Sequence, residues 1–100
     1  MSQILVQEVK QEQQLKASQI LRQTTVTQIK HAYAIPGNRF CAIGALMNYF
    51  GWSGCGGFGY NDIGLKKLGI NDDMWGQIIH LNDDGKSFIE IADWLEANGL

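Results

Sequence analysis

The sequence predicts a mostly helical α+β fold, with four or five short helices around a buried central helix at about residues 40–51 and one small β-hairpin at about residues 25–42. One segment is apolar around nearly its whole circumference, which is typical of a buried helix. The residues before it alternate with the period of a strand, and helix-capping signals recur after it. A chain of 100 residues, 45% of them hydrophobic, fits a single domain over residues 1–100.

The first part of the chain predicts a helix over residues 11–22, because this stretch is rich in good helix formers and contains neither Gly nor Pro. Its apolar residues do not form a clean stripe along one face. Residues 3–9 fit a short strand as well as the first turns of a helix, so both interpretations stay open.

A strand and a turn are predicted next, because larger side chains at positions 29, 31, 33 and 35 alternate with Gln, Lys and Ala. Pro36 and Gly37 then fit the two central positions of a type II turn. In a hairpin closed symmetrically around that turn, His31 and Cys41 would point to opposite faces of the sheet.

The central helix is predicted by the segment RFCAIGALMNYFGW, in which Ile43, Leu46, Met47 and Phe50 follow helical spacing. Small residues fill most of the remaining circumference and would let a neighbouring element approach closely. Asn38 fits the N-cap position of this helix.

Three further helices are predicted after a glycine-rich stretch. The first is short and ends at Gly69, and the second is capped by Asn71 or one of the two Asp residues that follow it. The last helix has the clearest signals, since Ser87 and Glu90 form an S-x-x-E capping box and Gly99 stands where a C-terminal glycine belongs.

The charge distribution narrows the classes of molecule that the protein is expected to bind. The first fifty residues carry five Lys or Arg against two Glu, whereas the last fifty carry eight acidic residues against three Lys. This asymmetry fits two halves that attract each other, or an acidic face for a cation or a basic partner. No basic stripe is present, so the sequence predicts no nucleic-acid binding.

The apolar segments indicate the cellular compartment in which the protein is expected. The longest apolar stretch falls short of the ~20 residues that span a bilayer, and the N-terminal residues do not follow the pattern of a signal peptide. We therefore expect a cytoplasmic protein without a membrane partner. In a reducing cytoplasm, Cys41 and Cys55 are expected to be free thiols.

Blocks of the chain resemble a group of small uncharacterised proteins found in phages and prokaryotes. Members share a short helix, a strand containing a glutamine, a C-[AC]-[IL]-G-[AV]-L block and a closing L-N-D-x-G-x-S-F-x-E-I-A-D-x-[IL]-E block. The resemblance implies a shared fold and brings no activity with it. The matching positions here are Gln28, Cys41, Gly44, Leu46, Asn82, Asp83, Gly85, Ser87, Phe88, Glu90, Ile91, Ala92, Asp93 and Glu96.

The glycine-rich stretch at residues 51–59 fits no phosphate-binding motif. A P-loop needs a lysine directly after its last glycine, and here the next lysine is Lys66. The dinucleotide fingerprint also fails, because its third glycine is misplaced and the preceding segment is helical. We therefore expect no bound cofactor, and either a connection anchored by Trp52, Phe58 and Tyr60 or a mobile lid over a pocket.

Cys41 is the best candidate for a reactive residue. At the third residue of a helix capped by Asn38, its thiolate would be favoured by the helix dipole and by unpaired N–H groups. A cysteine-dependent hydrolase would also need a histidine, either His80, with Asn82 or Asp83 beside it as an orienting partner, or His31. A buried, inert cysteine in an apolar helix is the more common case, and it predicts slow alkylation of Cys41.

The sequence predicts no metal site. Two Cys and two His would suffice for tetrahedral zinc, but no pair of them has the short spacing of such sites. The NDD triplets at residues 71–73 and 82–84 resemble calcium ligands, yet an EF-hand alignment on Gly85 puts His80 and Ile91 at the two ends of the loop. We interpret both triplets as helix caps and connections.

The three tryptophans, Trp52, Trp75 and Trp94, fit either core packing or an interaction surface for a protein partner. Taken together, the residues favour a non-catalytic interaction or accessory module. The resemblance implies that such a module is phage-derived. The alternative is the cysteine-dependent hydrolase, using Cys41 with His80 or His31.

Overall fold

Five helices and a small three-stranded sheet form within residues 15–59 and 61–100, the part of the chain that the computed structural model describes. This confirms the mostly helical α+β fold. Of the helix expected over residues 11–22, the part from Ala17 is present as α1, with Lys16 as its extended N-cap. Residues 3–9 and 11–14 lie outside the described residues. The elements in chain order are α1 (Ala17–Gln23), β1 (Thr27–Gln28), β2 (Ala34–Ile35), β3 (Arg39–Phe40), α2 (Ala42–Tyr49), α3 (Asn61–Lys67), α4 (Asp72–Asp83) and α5 (Phe88–Ala97).

The last two helices begin where their capping signals predict. Asn71 caps α4, and its side-chain oxygen accepts a hydrogen bond of 2.8 Å from the backbone N–H of Met74. Ser87 and Glu90 form the predicted capping box of α5, with reciprocal bonds of 3.1 and 2.9 Å. These caps satisfy N–H groups that have no partner within the helix.

The start of the central helix differs from the prediction. Cys41, not Asn38, is the N-cap of α2, and its Sγ accepts a hydrogen bond of 3.4 Å from the N–H of Gly44. Asn38 lies in the preceding turn with φ of 61°, directly after Gly37 with φ of 96°. The turn therefore uses three residues, and Arg39–Phe40 form strand β3, so α2 begins only after that strand.

The sheet confirms a small hairpin, over residues 34–40 of the expected 25–42, and divides the expected first strand into two short strands, β1 and β2. β2 and β3 pair antiparallel with Ala34 opposite Phe40 and Ile35 opposite Arg39. The register is thus one residue away from the symmetric closure around Pro36 and Gly37. β1 pairs with the other edge of β3 in parallel, so β3 is the central strand.

The core surrounds α2, in which residues 42–47 are all buried. This confirms the buried central helix, which contacts α1, α3 and α4 while α1 lies against α5. A close approach occurs at Gly44, where a Cβ atom would overlap the carbonyl oxygen of Tyr33. Glycine at this position brings α2 against the residues that precede β2.

No helix in the described residues has both the length and the apolar character needed to cross a bilayer.

Candidate functional site

A pair of amide side chains, the half-buried Gln28 and the buried Asn82, connects four segments of the fold. Asn82 is 1% exposed, near the end of α4. Its Oδ1 accepts hydrogen bonds from the backbone N–H of Ala42 at 3.0 Å and from Nε2 of Gln28 at 2.8 Å. Its Nδ2 donates to the carbonyl oxygen of Ile29 at 2.7 Å. Both polar atoms of the Asn82 side chain are thus engaged.

Gln28 extends the same network to the start of the last helix. Its Nε2 also donates to the carbonyl oxygen of Lys86 at 2.8 Å, and its Oε1 accepts from the N–H of Phe88 at 2.9 Å. The pair, called here the polar joint, therefore ties β1 to the start of α2, the end of α4 and the start of α5. Asn82 holds the fold together in this arrangement and does not orient a histidine.

A pocket of about 320 Å³ opens beside the polar joint. Asp83, the residue after Asn82, stands at its wall, and the pocket is called here the Asp83 pocket. Its position next to the N-terminus of α2 follows from the close packing of Gly44 against the Tyr33 carbonyl. The lining residues are His31, Ala32, Tyr33, Cys41, Ile79 and Asp83.

Asp83 holds His31 in an unusual backbone conformation. His31 has φ of 65°, a left-handed conformation that L residues adopt at a cost. Its backbone N–H donates to Oδ1 of Asp83 at 2.8 Å, and its Nδ1 lies 3.5 Å from Oδ2. The backbone N–H bond from His31 is the main cause that lowers the pKa of Asp83. The carboxylate is therefore ionised at neutral pH.

His31 and Cys41 line the same pocket, so the expectation that they point to opposite faces is wrong. The physical reason is the register. Because the turn contains three residues, the backbone N–H of Cys41 pairs with the carbonyl oxygen of Tyr33 at 3.1 Å. In addition, His31 belongs to no strand, and its left-handed backbone turns the chain out of the sheet.

The Cys41 thiol is buried at the wall of this pocket, with the residue 4% exposed. Burial raises the pKa of the thiol, and the negative charge of Asp83 raises it further. The hydrogen bond from Gly44 acts in the opposite direction but does not outweigh burial. Within the described residues, no hydrogen bond joins Sγ to an imidazole. Cys41 is therefore a protonated thiol at neutral pH.

His80 lies apart from this pocket. It is exposed on α4, where its Nε2 is 3.7 Å from Oδ2 of Asp84. It lines a separate depression together with Trp94 and the first-turn acids of α4. The structure therefore does not bring together the predicted set of Cys41, His80 and Asn82.

The glycine-rich stretch is anchored by aromatic contacts. The ring of Phe58 packs 5.0 Å from Tyr33, 4.8 Å from Trp52 and 5.9 Å from Trp75, measured between ring centroids. Nε1 of Trp75 donates to the hydroxyl of Tyr33 at 3.4 Å. This agrees with an anchored connection, while Tyr60 lies outside the described residues.

The tryptophans do not form one surface. Trp52 is 6% exposed and belongs to the core, so it is not part of an interaction surface. Trp75 and Trp94 are half-buried at different places, the first beside Tyr33 and the second in the depression of His80. Only Trp75 is close to the Asp83 pocket through its contact with Tyr33.

The described residues contain no group of three or more His, Cys, Asp or Glu side chains that could hold a metal ion. Asp72 and Asp73 lie in the first turn of α4, where the helix dipole stabilises negatively charged side chains. Cys41 and Cys55 are free thiols, the first buried and the second exposed.

The chain matches no known family model, no curated protein and no solved structure. The functional argument therefore depends on the geometry of the described residues. That geometry gives a role to Gln28, for which the sequence predicted none, and a different role to Asp83, which the sequence offered as an orienting partner of His80 and as part of an NDD triplet. The signal for Gln28 was weak, since it stands in a block that carries the resemblance and has no motif of its own.

Proposed function

We propose that the protein is a non-catalytic interaction module that receives part of a partner molecule in the Asp83 pocket. The observation that carries this proposal is the contrast between adjacent polar groups. Asn82 is fully engaged inside the fold, whereas the Asp83 side chain is 31% exposed and lines an open pocket. A carboxylate in that position is available to a ligand.

The size and lining of the pocket support binding. Ligand sites in proteins typically occupy about 300–1,000 Å³ and combine apolar walls with a few placed polar groups. Here the side chains of Ala32, Tyr33 and Ile79 supply the apolar wall, and Asp83 supplies the charge. The pocket lies at the small end of that range, so it suits a side chain or a small ligand.

The state of Cys41 argues for binding over thiol catalysis. A nucleophilic cysteine needs a lowered pKa or a base within hydrogen-bond reach. Burial and the charge of Asp83 both raise the pKa of Cys41. The thiol therefore contributes to the wall of the pocket as a small apolar group.

The test compares the two thiols of the chain in single-cysteine variants, Cys55→Ser and Cys41→Ser. We expect iodoacetamide to modify Cys41 more slowly than Cys55 at neutral pH, with a pH midpoint for Cys41 above that of an ordinary thiol. Mass spectrometry across a pH series measures both quantities. Rapid modification of Cys41 at neutral pH, with a midpoint well below an ordinary thiol, would contradict the proposal.

A cysteine-dependent hydrolase is the second candidate, and one observation favours it: Cys41, His31 and Asp83 line one pocket. In this proposal Sγ gives its proton to His31 and attacks a substrate carbonyl, while Asp83 orients the imidazole through the 3.5 Å contact with Nδ1. The C–O bond of the ester then breaks, and the alcohol leaves with the proton held by His31. Water hydrolyses the resulting thioester to the carboxylic acid and restores the free thiol. The low thiol midpoint described above would support this candidate, and Cys41→Ser would abolish ester hydrolysis.

A further inference from the structure

Of the two carboxylate oxygens of Asp83, Oδ2 is less occupied by hydrogen bonds than Oδ1, and it is presented to the pocket. Oδ1 already accepts the backbone N–H of His31 at 2.8 Å. Oδ2 lies 3.5 Å from Nδ1 of His31, and side-chain bonds from His31 and Asn82 also help to lower the pKa of the carboxyl. Because each carboxylate oxygen has two lone pairs, Oδ2 keeps capacity for a hydrogen-bond donor of a ligand.

The electrostatics of the pocket favour a cation. Among the described residues, neither Lys nor Arg lines it, and Asp83 is the lining carboxylate. The backbone bond from His31 lowers the pKa of Asp83, which keeps its negative charge in place. An anion entering the pocket would be repelled by this carboxylate, whereas a cation would be attracted to it.

The walls favour a cation with an apolar stem. Tyr33 is held in place by the ring of Phe58 at 5.0 Å and by the N–H of Trp75. Together with Ile79 and the protonated thiol of Cys41, it offers apolar surface beside the charge. An aromatic ring near a cation adds attraction of its own.

The geometry also distinguishes between cations. A guanidinium group prefers two parallel bonds to both oxygens of a carboxylate. Because the backbone of His31 already uses one lone pair of Oδ1, a guanidinium group would have to share that oxygen. A primary ammonium group is a compact charge that needs only one oxygen.

We propose that the Asp83 pocket binds a primary alkylammonium group, with its ammonium on Oδ2 of Asp83 and its alkyl stem against Tyr33 and Ile79. This inference rests on the proposed interaction module and names the chemistry that the module recognises. Such a group can come from the lysine side chain of a partner or from a free alkylamine.

The experiment titrates the full chain with n-butylammonium chloride and follows backbone amide shifts by NMR. We expect saturable shifts at residues 31–33, 41 and 83, and none from butan-1-ol, which has the same stem without the charge. Nα-acetyl-lysine methylamide is the second probe. Tighter binding of this probe than of butylammonium indicates a partner lysine, and equal binding indicates a free alkylamine.

Two neighbouring carboxylates provide a matched control. Asp83→Asn should weaken butylammonium binding about tenfold or more, because a hydrogen bond between charged groups is lost. Asp84→Asn should leave it unchanged, since Asp84 contacts His80 outside the pocket. Thermal unfolding of both variants verifies that they fold.

A measurement on the unaltered protein keeps the test independent of folding in Asp83→Asn. Bound butylammonium should slow iodoacetamide modification of Cys41 and leave that of Cys55 unchanged. Equal binding of butan-1-ol, or equal affinities of the two Asn variants, would overturn the ammonium proposal while the interaction module stands. A reactive Cys41 thiolate would instead overturn the interaction module itself.

Discussion

Asn82 and Asp83 are consecutive residues at the end of α4, yet they do opposite things. Asn82 is buried, and both polar atoms of its side chain form hydrogen bonds, with the backbone of Ile29 and Ala42 and with the side chain of Gln28. Asp83 bonds to the backbone of His31 and keeps part of its carboxylate at the wall of a pocket. One step along a helix turns a side chain by about 100°, which is enough to move it from the core to the pocket.

The difference teaches how one short segment carries both the fold and a candidate site. A buried polar group must be satisfied inside the protein, because an unpaired one costs about 1–3 kcal/mol. A partly exposed group keeps water as an alternative partner and can exchange it for a ligand. Burial therefore decides which of the two neighbouring residues is structural and which is available to bind.

The largest effect is expected from a substitution that breaks the polar joint. Asn82→Ala leaves the N–H of Ala42, the carbonyl of Ile29 and one bond of Gln28 without their partner, so it should lower the free energy of unfolding by roughly 3–5 kcal/mol. Urea denaturation measures the loss. Asp83→Asn keeps the shape and should cost clearly less. Equal losses in the two variants would refute the contrast between these residues.

A second comparison uses one substitution in two helices. Gly44→Ala places a methyl group against the carbonyl of Tyr33 at the pocket wall, and should cost roughly 2–3 kcal/mol of unfolding free energy. Gly76→Ala on the exposed face of α4 meets nothing within 4 Å and should stabilise by about 0.5–1 kcal/mol. The same denaturation series measures both. Effects of the same sign would show that the close approach at Gly44 is not required.

The smallest expected effect is the pH dependence at Asp83. Because the folded state lowers the pKa of this carboxyl below its ordinary value of about 3.9, its ionised form stabilises the fold above that value. This contribution is lost as the pH falls through the lower, folded-state pKa. The stability advantage of the natural chain over Asp83→Asn should therefore shrink on acidification below about pH 4.

The control for this pH dependence is Asp84→Asn. Its difference from the natural chain should change less over the same range, since Asp84 is 64% exposed and lies 3.7 Å from His80. Unfolding midpoints in urea, measured from neutral to acid pH, test both statements. A constant difference between the natural chain and Asp83→Asn would contradict the role of the His31 backbone bond.

The contrast between Asn71 and Cys41 shows how far the sequence could predict this fold. The cap on Asn71 joins residues three apart, so the local pattern was sufficient to place the cap among residues 71–73. The cap on Cys41 is equally local, but its position depends on the length of the turn before it. That length was set by the pairing of β3 with β1 and β2, which the local alternation of side chains does not reveal.

The candidate site was less predictable, because its members are distant along the chain. Gln28 and Asn82 are 54 residues apart, and His31 and Asp83 are 52 apart. Sequence reasoning singled out Asn82, Cys41 and His31, but it considered Asn82 only as an orienting partner of His80. It paired Cys41 with His31 only as one alternative, because a symmetric hairpin would place them on opposite faces. No spacing pattern shows that a backbone N–H rather than an imidazole is the main partner of Asp83.

By itself, the sequence determined the helical character of the chain, the caps at Asn71 and Ser87, and the burial of the small and apolar residues of α2. These properties follow from interactions within a few residues, so they can be read along the chain. Only the tertiary structure decided that Asn82 faces inward and Asp83 faces a pocket with Cys41. Which polar groups remain available depends on the partners that packing brings from distant segments, and burial makes those partnerships obligatory.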